Sequence, residues 1–173
     1  MPCQRIWLLL IFCGSLGLLS CQKKNGSDNT PAETNPTGNP SGTVNKTTLI
    51  QLVNTVRQTG CTCGSTVMAP VAAITWNDQL TTAAFNHSNE MNSNNYLNHT
   101  GLNGSTAGDR INAAGYAWKA YGENIAKGYS NEQTVMDGWL KSEGHCKNIM
   151  SPLFREMGVA RVGSYWTQEF ASR

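Results

Sequence analysis

The run Met157-Gly-Val-Ala-Arg-Val-Gly-Ser-Tyr-Trp-Thr-Gln-Glu-Phe170 decides the fold class of this chain. Residues 157–162 and 165–170 are rich in Val, Tyr, Trp and Phe, the composition of strands. Gly163-Ser164 between them is a two-residue connection with glycine first, which suits a tight antiparallel hairpin. A hairpin this late, behind three or four segments of helical period, implies an α+β chain. The layering expected is a three-layer α–β–α sandwich with a small antiparallel sheet.

Just upstream, Trp139-Leu-Lys-Ser-Glu-Gly-His-Cys-Lys-Asn-Ile-Met150 gathers a carboxylate, an imidazole and a thiol within four residues. A helix is expected from Ser130, with Gln133 completing a capping box and Val135, Trp139 and Ser142 along one side. Gly144 is expected to break it and let the chain turn sharply. Residues 146–150 then make one more turn before Pro152. Ser142 lacks any nucleophile-elbow pattern and reads as a cap or turn residue.

Further back, residues 122–126 read as a brief strand and residues 109–114 as a short helix closed by Gly115. A strong helix is expected to begin at Trp76, capped by Asn77 or Asp78 and broken by the polar residues 92–95. Its apolar stripe is Leu80, Ala83, Ala84, His87 and Met91, so His87 reads as a buried, satisfied histidine. Residues 61–75 read as a loop. Before it, Leu49, Leu52, Val53 and Val56 mark a first helix, with Thr48 and Gln51 as its capping box and Gly60 as its end. His99 sits among short polar residues, as a loop histidine facing a pocket would.

The front of the chain is of another kind. Residues 6–19 form an apolar run behind Arg5, shorter than the ~20 residues of a membrane span and suited to an export signal. It ends Leu18-Leu19-Ser20-Cys21, which resembles a bacterial lipobox in which Cys21 becomes the lipidated N-terminus. The expected organisation is a signal over residues 1–20, lipidated Cys21 and an extended tether over 21–47, and one domain over 48–173. The tether is rich in Asn, Thr, Pro, Gly and Ser and cannot bury enough apolar surface to offset chain entropy. The expected location is the extracytoplasmic side of a bacterial envelope, held to a membrane through Cys21. Gln22 in place of Asp resembles outer-membrane sorting if the cell is Gram-negative.

Of six cysteines, Cys3 and Cys13 leave with the signal and Cys21 takes lipid. Cys61, Cys63 and Cys146 remain, in an oxidising compartment. A Cys61–Cys63 bond would close a very small ring. Cys63–Cys146 is favoured, with Cys61–Cys146 as the alternative and the role of Cys61 open. Charged residues are 14% and the formal charge is +2, which gives no electrostatic case for nucleic acid.

In order, Trp76, Leu80, Ala84, His99-Thr100-Gly101, Gly122-Glu123-Asn124, Trp139, Ser142-Glu143-Gly144-His145, Gly158-Val159 and Tyr165-Trp166-Thr167-Gln168 resemble the CAP superfamily. That family includes cysteine-rich secretory proteins, antigen 5, plant pathogenesis-related protein 1 and bacterial SCP-like proteins. The resemblance implies an α–β–α sandwich over a cleft in which two histidines and two glutamates can hold a divalent metal. It places the first histidine at His99 and the glutamates at Glu123 and Glu143. Tyr165 stands where eukaryotic members carry the last histidine, and many bacterial members carry one in a Ser-x-Gly-His turn, here His145. The paired cysteines of many bacterial members support Cys63–Cys146. His87, Asn124 and Tyr165 are expected to line the pocket.

Two imidazoles suit Zn²⁺ or another divalent cation, with the carboxylates as oxygen ligands or as partners of the ring N–H groups. Three functions are compatible with this set. The first is a tethered binding module for a cation or for an envelope polymer, lipid or peptide. The second is a metal-assisted hydrolase with Glu123 or Glu143 as base. The third is a non-catalytic polar network that holds loops together.

Overall fold

The computed structural model describes residues 44–173. The expected signal, Cys21 and most of the tether lie outside the described residues. Among those described, no helix is long and apolar enough to cross a membrane.

The first helix, α1 (Lys46–Thr59), begins two residues before Thr48. Asn45 caps it, its side chain accepting from the Thr48 N–H at 3.0 Å, and Val44 already packs on the core. Residues 61–75 are not a plain loop. They hold β1 (Cys61–Cys63), β2 (Thr66–Met68) and, at their end, β3 (Thr75–Trp76). Strands of two or three residues are too short for alternation to show in sequence. Trp76 therefore belongs to a strand. Asn77 caps α2 (Asp78–Asn94), accepting from the N–H groups of Gln79 and Leu80. The helix runs through the expected break at 92–95 and ends at Asn95, whose left-handed φ of 50° is one an asparagine tolerates.

Thr106 and Asp109 form a capping box on α3 (Ala107–Ala113). After β4 (Ala120–Lys127), α4 (Glu132–Lys141) is capped by Asn131 with Thr134, one residue later than Ser130 with Gln133. The break before α5 (Glu143–Ile149) falls at Ser142, which is extended at φ −89° and ψ 122° and stands at the N-cap position without a side-chain capping bond. Gly144 lies inside the first turn of α5 and is not the breaker. β5 (Glu156–Val162) and β6 (Tyr165–Ser172) form the expected hairpin, with Gly163 at φ +57°.

The main sheet has the order β3-β5-β6-β4. β3 runs parallel to β5 and the other pairs are antiparallel. Alternation sorts its residues between two helical layers. Met157 and Val159 of β5, with Trp166 and Phe170 of β6, join Leu49, Val53, Val135 and Trp139 of α1 and α4 in one core. On the opposite face Ala171 joins Leu80 and Ala83 of α2 and Ile111 of α3. A Cβ at Gly158 would meet the α2 backbone at Leu80 and Thr81, so glycine lets helix and sheet close up there. Ser88 of α2 donates to Thr167 Oγ1 at 2.8 Å on the same face. β6 is buried on both sides through Ala171, which makes the α–β–α sandwich explicit. The main sheet is mixed, and it is the short β1–β2 hairpin that stands apart as purely antiparallel.

Two long-range ties fix α1 and α5. The fully buried Arg57 of α1 donates to four carbonyls: Ala72 at 2.9 Å, Ile149 at 2.7 Å, Ser151 at 3.0 Å and Phe154 at 3.2 Å. A disulfide joins Cys63 of β1 to Cys146 of α5, 83 residues apart, with Cα atoms separated by 5.4 Å.

Candidate functional site

β4 is an edge strand of the main sheet, and the loop after α2 and the start of α5 meet along it. Its side chains alternate: Glu123 points to the α2–α3 face and Asn124 to the α4–α5 face. This alternation brings a carboxylate to one side of the strand and a buttress for α5 to the other.

The loop carrying His99 is held from below. His87, fully buried on α2, donates from Nε2 to the Asn98 carbonyl at 2.8 Å. Arg110 of α3 donates to the carbonyls of His99 and Ser105, each at 3.0 Å. Glu90 accepts from the Tyr96 hydroxyl at 2.6 Å and from the Leu102 N–H at 3.3 Å, spanning the same loop. The His99 imidazole, with 55% of its side chain exposed, then meets Glu123 with Nδ1 on Oε1 at 2.7 Å. Arg110 donates to the other Glu123 oxygen at 2.6 Å.

Burial opposes the charge of Glu123. The His99 hydrogen bond and the Arg110 guanidinium outweigh that and hold its carboxyl below the ordinary glutamate range. Glu123 is therefore the anion, and His99 donates to it from Nδ1. His87 stays neutral because burial lowers its pKa more than Glu123 raises it.

His145 completes the pair. Its ring centroid lies 6.4 Å from that of His99, at an interplanar angle of 57°. Burial, then the neighbouring His99, lowers its pKa, so His145 favours the neutral ligand form. Asn124 holds its backbone, donating to the His145 carbonyl at 3.2 Å and to Gln168 at 3.0 Å. Asn148 of α5 donates to the Glu123 carbonyl at 3.0 Å and to Asn124 Oδ1 at 2.9 Å. The disulfide at Cys146 pins the next residue.

His99, Glu123 and His145 thus come together, with Asn124 and His87 as buried supports. Two expected members do not join them. Glu143 points outward, pairs with Lys147 at 2.6 Å and lies against Gly64 of the β1–β2 turn. A position two residues from His145 on a helix looks in another direction, which linear proximity cannot show. Tyr165 lies four residues along β6 from the level of Glu123. It packs with Met91 and Ile125, and its hydroxyl donates to Asn95 at 2.9 Å.

A tetrad of two histidines and two glutamates as direct ligands is not assembled. Glu123 is committed to His99 and Arg110, and Glu143 to Lys147. Among the described residues, the one group of three or more such ligands within 4.8 Å is the sulfur trio of Cys61, Cys63 and Cys146, two of which are joined in the disulfide. The Cys61 sulfur lies 3.6 Å from that of Cys146.

Sequence reasoning missed Arg110, Glu90, Asn148 and Glu169. Of these, Glu169 left a visible trace, as the lone charge in the otherwise uncharged run of residues 165–172.

Residues 50–170 match the model of the family described as the cysteine-rich secretory protein family, CAP. The uncharacterized protein YkwD of Bacillus subtilis is 38% identical over 98 residues, covering 56% of this chain and 38% of the relative. The uncharacterized membrane protein YlbC of the same organism is 30% identical over 131 residues, covering 76% and 35%. The chain therefore spans little more than a third of the length of these curated relatives. Among solved structures, an SCP-domain extracellular protein of Bacillus anthracis superposes with a TM-score of 0.66 at 30% identity, covering 73% of this chain and 40% of that one. An outer surface protein of Borrelia burgdorferi shares the fold at a TM-score of 0.63 and 19% identity, covering 73% and 91%.

Proposed function

The chain belongs to the cysteine-rich secretory protein family, and from that premise we propose an envelope-tethered binding domain whose His99–His145 cleft takes a divalent cation. One observation carries this reading. The 2.7 Å bond from His99 Nδ1 to Glu123 uses one ring nitrogen and leaves the other for a ligand, in a ring whose centroid is 6.4 Å from that of His145. Two imidazoles so placed fit Zn²⁺ as nitrogen donors, and Glu123 serves as the carboxylate behind the ligand. Glu123 acts through His99 and is not itself a ligand, and Glu143 takes no part. A bound ion would supply a Lewis acid with open positions for an oxygen of an envelope polymer, lipid or peptide.

The anchor through Cys21 belongs to the same reading. Its support is the lipobox-like run and the extracellular, outer-surface or membrane character stated for relatives of this family. Cys21→Ala is expected to move the protein out of the membrane fraction of the producing cell, and retention there would count against the anchor.

Titration calorimetry with zinc on the oxidised domain is expected to show one site, abolished in His99→Ala and weakened about 10–100-fold in Glu123→Gln. Absence of heat with zinc, magnesium and calcium removes the cation and leaves an organic ligand for the cleft. The oriented His99 nitrogen is also a base. Turnover of envelope peptides that is lost in His99→Ala would favour the hydrolase reading instead.

A further inference from the structure

Beneath His99 the sheet places two carboxyl groups side by side. Glu123 of β4 and Glu169 of β6 are direct cross-strand partners, so their side chains share a face at neighbouring positions. Glu169 is fully buried, and among the described residues neither of its oxygens receives a hydrogen bond. Its polar neighbour is the Glu123 carboxylate, itself an acceptor. The available donors are already spent on Glu123: His99 Nδ1 on one oxygen and Arg110 on the other.

A buried carboxylate without a donor or a counter-charge of its own is strongly disfavoured, and two acceptors in contact need a proton between them. The other charged or titratable groups around the pair are His87 and Glu90 on α2, His99 on the loop and Arg110 on α3. Arg110 is the one fixed cation among them, and it matches one negative charge, not two.

We infer that Glu169 is a positioning residue of the cleft: as the neutral acid it donates its O–H to Glu123, steadying the anion that orients His99. The electrostatics agree with the geometry. Burial, then the charge of Glu123, raises Glu169 well above the ordinary carboxylate range, while Glu123 is held below it. The arrangement holds whatever occupies the cleft, so a null calorimetric result with metals leaves it standing.

The sign of the pH dependence follows. The folded chain holds the Glu169 proton more tightly than the unfolded one does. Its stabilising contribution is therefore complete below the ordinary glutamate value of 4.5 and is lost as pH rises towards the folded-state value. Within that window the folding equilibrium falls by up to about tenfold per pH unit. Glu169→Gln carries a permanent N–H donor in nearly the same shape and should remove this slope.

Urea unfolding of the full chain and of Glu169→Gln from about pH 5 to pH 9 tests this. The variant is expected to gain on the wild type as pH rises, and parallel profiles would overturn the inference. Infrared spectra of the unmodified chain at neutral pH supply a test that needs no variant. A carbonyl band from a buried neutral carboxylic acid is expected, and its absence would show Glu169 ionised. In nitrogen-edited spectra Glu169→Gln should keep the His99 proton on Nδ1, whereas Glu169→Ala should lose that single tautomer. Retention in both would reduce Glu169 to a filler of space.

Discussion

Cys146→Ala is expected to lower the unfolding free energy by about 4 kcal/mol, because the lost cross-link closes a loop of more than eighty residues in the unfolded chain. The loss should appear as a lower midpoint in urea with the cooperative transition kept. Adding reductant to the wild type should reproduce most of it. The bond also ties α5 to the β1–β2 hairpin, one residue from His145. The variant should therefore lose order in the imidazole pair before the sheet melts, visible as broadened His145 resonances with the β4–β6 amides still protected. A shift below about 1 kcal/mol would mean that the unfolded chain is already compact around these segments.

Arg57→Ala should be comparably severe, at about 3–5 kcal/mol. The guanidinium is fully buried and serves the carbonyls of Ala72, Ile149, Ser151 and Phe154, and among the described residues no carboxylate is paired with it. Truncation removes charge-assisted hydrogen bonds, strands carbonyls inside the protein and leaves a cavity of arginine size. Arg57→Lys should recover only part of the loss, since a compact ammonium cannot reproduce the planar fork that reaches four oxygens. Equilibrium unfolding of the two variants checks this, and equal stability of alanine and lysine at position 57 would contradict it.

Arg57 also shows where sequence reading stopped. The stripe Leu49, Val53, Val56 told which face of α1 turns inward, yet a long cation one turn further along that face looks like a solvated end of the helix. Its acceptors come from residues 72 and 149–154, and nothing local announces them. The hairpin at residues 157–170, the stripe of α2 and the sandwich were legible because each follows from a short period or a two-residue turn. The very short β1, β2 and β3 were not, since period needs length.

The candidate site divides in the same way. The resemblance singled out His99, Glu123 and His145, and the structure brings them to one edge of the sheet. It could not show that Glu143, two residues from His145, would leave the cleft for Lys147, because that depends on where α5 begins. Arg110 and Glu169 were invisible for a different reason. Their meaning lies in a cross-strand register and in one helix docking on one face of the sheet, both of which are tertiary facts.

The strand order β3-β5-β6-β4 puts the two strands that come last in chain order among these four in the middle of the sheet. Until residues 156–172 emerge, the flanking strands have no neighbour to ladder with and the inner stripe of α2 has no wall to lie on. A nascent chain halted before Glu156 is thus left without any pairing of the main sheet, and one halted between Val162 and Tyr165 has only the two-residue β3–β5 contact. Vectorial synthesis completes this sheet only with its two central strands, and a stop codon placed within residues 156–165 should erase the domain as completely as one near Lys46.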